Sequence, residues 1–488
     1  RNCRTDMYSS QGDNYLYDQV AELVSGMIDN GTLKAGDRVP SLRKMSKQLQ
    51  VSVATVMQGY VNLEEAGLIE SRPQSGFYVR SRPRVDPAPP KKTNPRALPR
   101  PVQFGNTVET IFSLANQPDI VPLGIANPAP ELLPVRALNR ALREVISRDP
   151  EASVSYTFAP GNSELRRQIA FRSADLGCEV APDDIVITTG ATEGMAVALQ
   201  VVAKPGDIIA VESPTYFCGL QIIERLGMLA LEIDTDPQDG MCPKALARAL
   251  ESHPVKAVLS VANFSNPTGG LMPEANKAEV VQLLARRGIP LIEDDVMGDL
   301  YFGNSRPRSY QAYDREGLVI TCSSVSKTVA PGYRVGWVLP GRFRQQIAHG
   351  KQLNSSASVS VTQMAMAEFL RGGHYDRHLA RLRRACREQI ERLRYAIGEH
   401  FPAGTRASRP QGGSTLWVQL PRGVDSNVLY QRALAAGISA TPGTLFSATG
   451  KYQNFVRLCA GHPWSERIES AVKTLGELAD ELSLGERV

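Results

Sequence analysis

Seven prolines fall between residues 81 and 105: Pro83, Pro87, Pro89, Pro90, Pro95, Pro99 and Pro101. Proline lacks a backbone N–H and has a fixed φ, so neither a helix nor a central strand runs through such a stretch. The chain is therefore divided into a small unit, residues 14–80, and a large one, residues 106–488, joined by residues 81–105 as an extended, semi-rigid linker. Arginine and lysine outnumber the linker's one acid, Asp86, a composition suited to a solvated spacer. At 488 residues the chain exceeds what one small core needs. The formal net charge of +5 is too small to reveal a polyanionic partner by itself.

No apolar run reaches bilayer length and no charged-then-apolar leader opens these residues. The seven cysteines are scattered without a CxxC pair, which suits a reducing cytoplasm and argues against a disulfide framework or a zinc site. No metal is expected. Residues 1–13 carry no periodic signal, and the natural start is expected before Arg1 or at Met7.

In the small unit, Val20, Leu23, Val24, Met27 and Ile28 recur at helical spacing, and Gly31 is expected to end that helix. Ser41 is positioned to cap a second helix carrying Leu42, Met45 and Leu49. Ser52 is positioned to cap a third, with Val56, Tyr60 and Leu63 inward and Gly67 at its close. LIESRPQSGFYV then reads as two short strands with a turn at Ser75-Gly76. Three helices and a hairpin in so few residues fit a winged helix-turn-helix. Its third helix would enter a major groove with Ser52, Val53 and Thr55 nearest the base edges. Arg38, Arg43, Lys44 and Lys47 would meet phosphates, with Arg72 on the wing and the basic linker as a further tether. Acidic and basic residues nearly balance here, so charge leaves a generic interaction domain equally open.

The stretch LYDQVAELVSGMIDNGTLKAGDRVPSLRKMSKQLQVSVATVMQGYVNLEEAGLIESRPQSGFYV resembles the GntR family of bacterial repressors over nearly the whole unit. The resemblance implies DNA contacts at Arg38, Ser41, Arg43, Ser52, Thr55 and Arg72. Where the family reads G-V-S-R, this chain has Gln50, Val51, Ser52, Val53, so the base preference is its own.

In the large unit, apolar strand-like runs alternate with helical patterns, the mark of an α/β domain. Five runs end in a polar or glycine-bearing motif: IVITTGATEG (185–194), IIAVESPTY (208–216), AVLSVANFSNPTGG (257–270), IPLIEDD (289–295) and LVITCSSVSK (318–327). In a doubly wound sheet the strand carboxyl ends line one crevice, so these motifs would meet at one site; five unrelated turns are the other reading. Lys327 is by default a surface cation, but desolvated beside Arg334 it would lose its proton and form a Schiff base. Asp294, at a buried strand end, needs a partner, which a protonated pyridine nitrogen would supply. Gly190, Ala191 and Thr192 open a helix whose free N–H groups attract phosphate, and Ser324 and Arg334 would complete that cup. Tyr216 would stack on a flat ring and Asn266 would donate to a phenolic oxygen; plain packing and an Asn-Pro turn are their ordinary roles. One cofactor uses all of them.

From about residue 106 to 485 the chain resembles the fold-type-I, pyridoxal 5′-phosphate (PLP) dependent aminotransferases. SVSKTVAPGYRVGW, ANFSNPTGG, EDD and SPTY stand in the family's order. By that resemblance Lys327 carries the cofactor as an aldimine, Ser324 and Arg334 bind its phosphate, Asn266 the phenolic oxygen, Asp294 the ring nitrogen, and Tyr216 the ring face. SVSYTFAPGNSELRRQIA implies that Tyr156 reaches the neighbouring subunit's phosphate. FVRLCAG implies that Arg457 binds a substrate α-carboxylate, a pairing arginine makes bidentately. Where the family has a tyrosine three residues after the aspartate, this chain has Met297, which cannot donate to the phenolic oxygen; Tyr301, expected one helical turn onward, is a candidate substitute.

A GntR-type reader joined to an aminotransferase-like domain resembles the MocR subfamily of regulators across the chain. The resemblance implies a cytoplasmic head-to-tail homodimer that binds a double-stranded DNA operator and senses an amino acid or amine through an aldimine at Lys327. The alternative is an active PLP-dependent aminotransferase carrying a DNA-binding module. A third reading is a sensor of PLP itself, which leaves Arg457 without a carboxylate to bind.

Overall fold

The computed structural model describes residues 16–29, 32–34, 36–65, 68–72, 75–80, 86–92, 98–105, 107–113 and 117–484. They fall into two compact units, one ending at Asp86 and one starting at Pro87.

The small unit holds α1 (Leu16–Asp29), α2 (Leu42–Leu49), α3 (Val53–Glu65), β1 (Ile69–Arg72) and β2 (Gly76–Val79). Val20, Val24, Met45, Val56, Tyr60, Leu63, Ile69 and Val79 close its core. Leu23, expected on the inner face of α1, is 38% exposed, because the core side of α1 centres on Val20 and Val24. Ser41 caps α2, accepting from the Lys44 N–H at 3.3 Å. Ser52 accepts from the Thr55 N–H at 3.0 Å at the head of α3. Each cap satisfies an N–H that has no partner within its helix. The Tyr60 hydroxyl donates to the Pro40 carbonyl at 2.7 Å, and burial pushes its pKa up to about 12. β1 and β2 pair antiparallel, Ile69 opposite Val79 and Arg72 opposite Gly76. The Ser75 N–H donates to the Arg72 carbonyl at 3.0 Å, so the turn lies between these residues and Gly76 already belongs to β2. Val39 also donates to Phe77, adding a short third edge beside the hairpin. Gly31 and Gly67 lie outside the described residues.

Among the described residues, 87–92 and 98–105 belong to the large unit, where a solvated spacer was expected to residue 105. The carbonyls of Pro87 and Pro89 accept from Arg394 and Arg406, each at 3.0 Å. Ala407 N–H donates to the Ala88 carbonyl at 2.9 Å, and Arg100–Pro101 forms an edge strand, β3, with Val102 buried beneath. Proline tolerates a sheet edge because its missing N–H faces outward there. Pro87 and Pro89 thus supply acceptors to guanidinium groups.

The main sheet of the large unit contains β3, β4 (Val186–Thr188), β5 (Ile208–Ser213), β6 (Leu229–Asp236), β7 (Gly240–Met241), β8 (Val255–Ser260), β9 (Leu291–Asp294), β10 (Val319–Ser324) and β11 (Gly336–Leu339). The order is β3-β6-β5-β8-β9-β10-β11-β4, with β7 on β6. β6, β5, β8, β9 and β10 run parallel, and β11 lies antiparallel between β10 and β4. Buried Val, Ile, Leu and Ala on both faces make these strands continuous apolar runs, as a helix-covered parallel sheet requires. A smaller antiparallel sheet, β12 (Arg406–Ala407), β13 (Thr415–Gln419), β14 (Thr441–Pro442) and β15 (Phe455–Cys459), runs β12-β13-β15-β14 around its own core. The expected α/β fold with an N-terminal winged helix-turn-helix is thus observed.

Gly59 sits where α3 crosses α1: a Cβ there would come within 2.8 Å of the Tyr17 carbonyl oxygen and 2.9 Å of Val20. Gly59→Val is expected to destabilise the small unit by about 1–3 kcal/mol through overpacking, seen as faster amide hydrogen exchange over residues 16–65 with the large unit unchanged.

Candidate cofactor pocket and nucleic-acid interface

Because β4, β5, β8, β9 and β10 point the same way, the residues following them converge at one sheet edge. There a cavity of about 270 Å³ is lined by Ala191, Thr192, Tyr216, Asn266, Asp294, Ser324, Lys327 and Arg334. Eight of the residues expected at a cofactor site from five separate motifs therefore share one pocket.

At the end of β4 the chain enters the helix α4 (Ala191–Val202) through Gly190, whose φ of +82° suits glycine. No side chain caps α4, so its first N–H groups remain available. A Cβ on Gly190 would lie 2.5 Å from the Arg334 guanidinium, and one on Gly336 would lie 2.5 Å from Gly190 itself. Two glycines thus let the guanidinium close against the helix head. Arg334 donates to the Thr189 carbonyl at 3.1 Å and to the Pro331 carbonyl at 3.3 Å. Ser324 is buried beside them and accepts from the Ser326 N–H at 3.3 Å. Free N–H groups, a guanidinium and a hydroxyl at a helix start form a cradle for a dianion.

Lys327 follows β10 and donates to Asn127 Oδ1 at 2.8 Å. Removal from water, with the nearby positive charge of Arg457 acting in the same direction, brings its amine down to about 8. Asp294 ends β9, and strand alternation turns it into the pocket while Glu293 and Asp295 face away. Asp294 Oδ1 accepts from the Val296 N–H at 3.2 Å, and burial pushes its carboxyl up to about 6. A buried carboxylate with so little compensation fits a cationic ring nitrogen. Asn266 Oδ1 accepts from Arg457 Nη1 at 3.1 Å, which leaves the amide nitrogen as the group free to donate. Arg457, on β15, is 2% exposed; Nη2 donates to the Gly124 carbonyl at 2.6 Å and to Thr441 Oγ1 at 3.1 Å, while Nε is buried without a partner. The guanidinium lies 5.2 Å from the Phe446 ring centroid. Amine, carboxylate, amide donor and dianion cradle together fit pyridoxal phosphate.

Tyr156 is 76% exposed, stacked on Phe158 and outside the pocket of its own chain. Met297 lines the pocket. Tyr301 does not substitute for the missing phenol: residues 295–300 form bends and a turn rather than a helix, Tyr301 bridges to Gly412, and its ring lies under Arg383, 4.1 Å away, outside the cavity. Sequence reasoning missed Asn127, the hydrogen-bond partner of Lys327. Its signal was a polar amide before proline in the apolar run VPLGIANPAP. Phe112, Cys218 and Ser326 also line the pocket without having been anticipated. A larger cavity, about 450 Å³, opens on the other side of β9 and β10. Its charges are mostly paired with each other, Arg306 with Asp295 and Asp299, and Arg172 with Asp376.

In the small unit Arg38, Ser41, Arg43, Ser52 and Arg72 are exposed and Thr55 is half-buried. The hydroxyls of Ser52 and Thr55 bond each other at 2.8 Å. Arg72 is engaged on the wing, donating through Nε and Nη2 to Glu70 and lying 4.3 Å over the Tyr78 ring.

Residues 118–475 match the family model for class I and II aminotransferases, and residues 16–79 match that for the gntR family of bacterial regulatory proteins. The uncharacterized HTH-type transcriptional regulator YjiR of Escherichia coli is 39% identical over 94% of this chain and 98% of its own length. A second regulator from that organism, YdcR, is 38% identical over 95% of this chain and 99% of its own. Among solved structures, the Pyrococcus horikoshii kynurenine aminotransferase is 28% identical with a TM-score of 0.72, covering 78% of this chain and 95% of its own. The Thermus thermophilus α-aminoadipate aminotransferase LysN, complexed with N-(5′-phosphopyridoxyl)-L-leucine, matches at 28% identity and a TM-score of 0.72 over 78% of this chain and 98% of its own. The regulators span 94% and 95% of this chain, whereas these enzymes cover 78% of it. The chain therefore belongs to the GntR-type transcriptional regulators that carry a PLP-dependent, class I/II aminotransferase-like domain, the MocR subfamily.

Proposed function

We propose that this regulator senses an amino acid or amine in the Lys327 pocket and transmits its occupancy to paired DNA readers. The observation that carries the reading is the convergence of Lys327, Asp294 and Asn266 on one cavity, with Arg457 bonded to Asn266 behind it, in a chain that also bears a winged helix-turn-helix.

Bound pyridoxal phosphate supplies an electrophilic carbonyl and an electron-withdrawing ring. This chain's residues supply the rest. Lys327 offers the amine that attaches the cofactor. The head of α4 at Gly190, Ala191 and Thr192, with Ser324 and Arg334, holds the phosphate. Asp294 holds the proton on the ring nitrogen, Asn266 donates to the phenolic oxygen, and Tyr216 covers the ring face. Arg457 takes an α-carboxylate; its unpartnered Nε supports that role, since a buried guanidinium N–H left without an acceptor is costly. An exposed Tyr156, outside its own pocket, supports a head-to-tail homodimer in which it reaches the partner's phosphate. In such a dimer the readers sit on two half-sites of a double-stranded operator whose spacing must match the protein, so a modest change of shape switches binding. Arg38, Arg43 and Arg72 meet the backbone, with Ser41, Ser52 and Thr55 alongside. Ser41 keeps its O–H to donate to a phosphate while its oxygen caps α2.

An active aminotransferase with a DNA module is the second reading, favoured by the completeness of the amine, carboxylate and guanidinium set. Amino acids titrated against the absorption spectrum, with keto acid assayed alongside, separate the two. A stable spectral change with little product marks a sensor, and product over many turnovers marks an enzyme.

Lys327→Ala is expected to abolish covalent trapping of pyridoxal phosphate by borohydride while leaving a folded dimer; trapping at another lysine would refute the assignment. The neutral amine is the reactive form, and Lys327 loses its proton near pH 8. Cofactor capture by the apoprotein should therefore accelerate by about tenfold per pH unit well below 8 and level off above it, a profile that stopped-flow absorbance would trace. Arg43→Ala should weaken operator binding and reduce the salt slope by about 1 with the cofactor spectrum intact, measured by fluorescence anisotropy at several salt concentrations.

A further inference from the structure

We propose that α3 reads thymine methyl groups, so that each operator half-site carries A·T pairs beneath this helix. The inference rests on the reading that α3 enters the major groove.

The inner face of α3 is fixed by Val56, Gly59, Tyr60 and Leu63, all buried. The opposite face at the N-terminal end consists of Val53, Ala54, Met57 and Gln58, spaced i, i+1, i+4 and i+5. Val53 is 45% and Met57 43% exposed, large apolar side chains with no place in the core of their unit. From Val53 to Leu63 the helix contains no lysine, arginine, histidine, aspartate or glutamate. The commonest guanine contact, a bidentate arginine or lysine on O6 and N7, is therefore unavailable from this face. Nor do the nearby hydroxyls replace it: Ser52 and Thr55 bond each other, Ser52 Oγ also caps the helix, and a hydroxyl with a single O–H cannot make a bidentate contact.

What this face offers is apolar surface and one carboxamide. In the major groove the feature that apolar side chains recognise is the C5-methyl of thymine, and glutamine suits adenine N6 and N7. Gln58 Nε2 donates to Asn62 Oδ1 at 3.0 Å, which steadies the carboxamide and leaves its oxygen and second N–H available. Arg38, Arg43, Lys44 and Lys47 are exposed in the same unit, so backbone affinity comes from other segments and α3 is left to discriminate.

The test uses the full-length, cofactor-loaded protein. Half-sites are first selected from a random duplex library, and affinity is then measured with deoxyuridine replacing thymidine, which removes only the methyl. The expected result is A·T-centred half-sites and a loss of about fourfold in affinity per contacted methyl. Met57→Ala, an exposed change that leaves the core intact, should shrink the thymine–uracil difference, and Val53→Arg should move the selected bases toward guanine. Half-sites with G·C pairs beneath the helix, or equal affinity for thymine and uracil, would overturn the proposal while leaving DNA binding standing. Failure to retain any duplex at low salt would overturn the DNA-reading function itself, and this inference with it.

Discussion

The buried guanidinium of Arg457 ties the large unit together. A charge at 2% exposure persists only when its N–H groups find acceptors. Its partners come from three places in the chain: Asn266 in the loop after β8 of the main sheet, Thr441 on β14 of the small sheet, and the Gly124 carbonyl. The two sheets are thereby held to one registration across the pocket. The same charge helps to lower the pKa of Lys327, and its bond to Asn266 Oδ1 orients the amide. One side chain thus links the two sheets, adds to the effect of burial on the amine and orients a hydrogen-bond donor.

Around that anchor the pocket is electrostatically unfinished. Asp294 has its carboxyl pushed up by burial and Lys327 its amine pushed down, each because water has been removed without full compensation. A ligand that brings a positive ring nitrogen to one and an electrophilic carbon to the other relieves both. Met297 leaves a thioether where a second phenolic-oxygen donor would stand. That suits a domain whose task is to hold a ligand and report it more than one built for rapid proton transfer. On the other side of β9, Glu293 accepts from the Tyr310 N–H and the Thr321 hydroxyl but is still pushed up to about 7 by burial, while Asp295 pairs with Arg306.

The small unit divides its labour differently. Serines 41 and 52 close helix ends, Gly59 lets α1 and α3 touch, and the polar faces that remain are shaped by those packing demands. The small unit ends at Asp86. Prolines 87 and 89 spend their carbonyls on Arg394 and Arg406, partners more than 300 residues away.

The sequence by itself determined what is local. The caps at Ser41 and Ser52, the hairpin, the apolar strands and the five motifs at their ends all follow from neighbours within one turn or one strand, so fold class and eight pocket residues were legible. The acid of the EDD run that faces the pocket followed from resemblance and agrees with strand alternation. Tertiary structure alone decided whatever depends on groups far apart in the chain. It placed Asn127 on Lys327, turned the Tyr301 ring under Arg383 and exposed Leu23. It docked the chain from Pro87 and joined Arg457 to Asn266 across 191 residues. Those contacts come from burying charge and filling space in three dimensions, and no spacing along the chain encodes which distant partner satisfies a buried polar group.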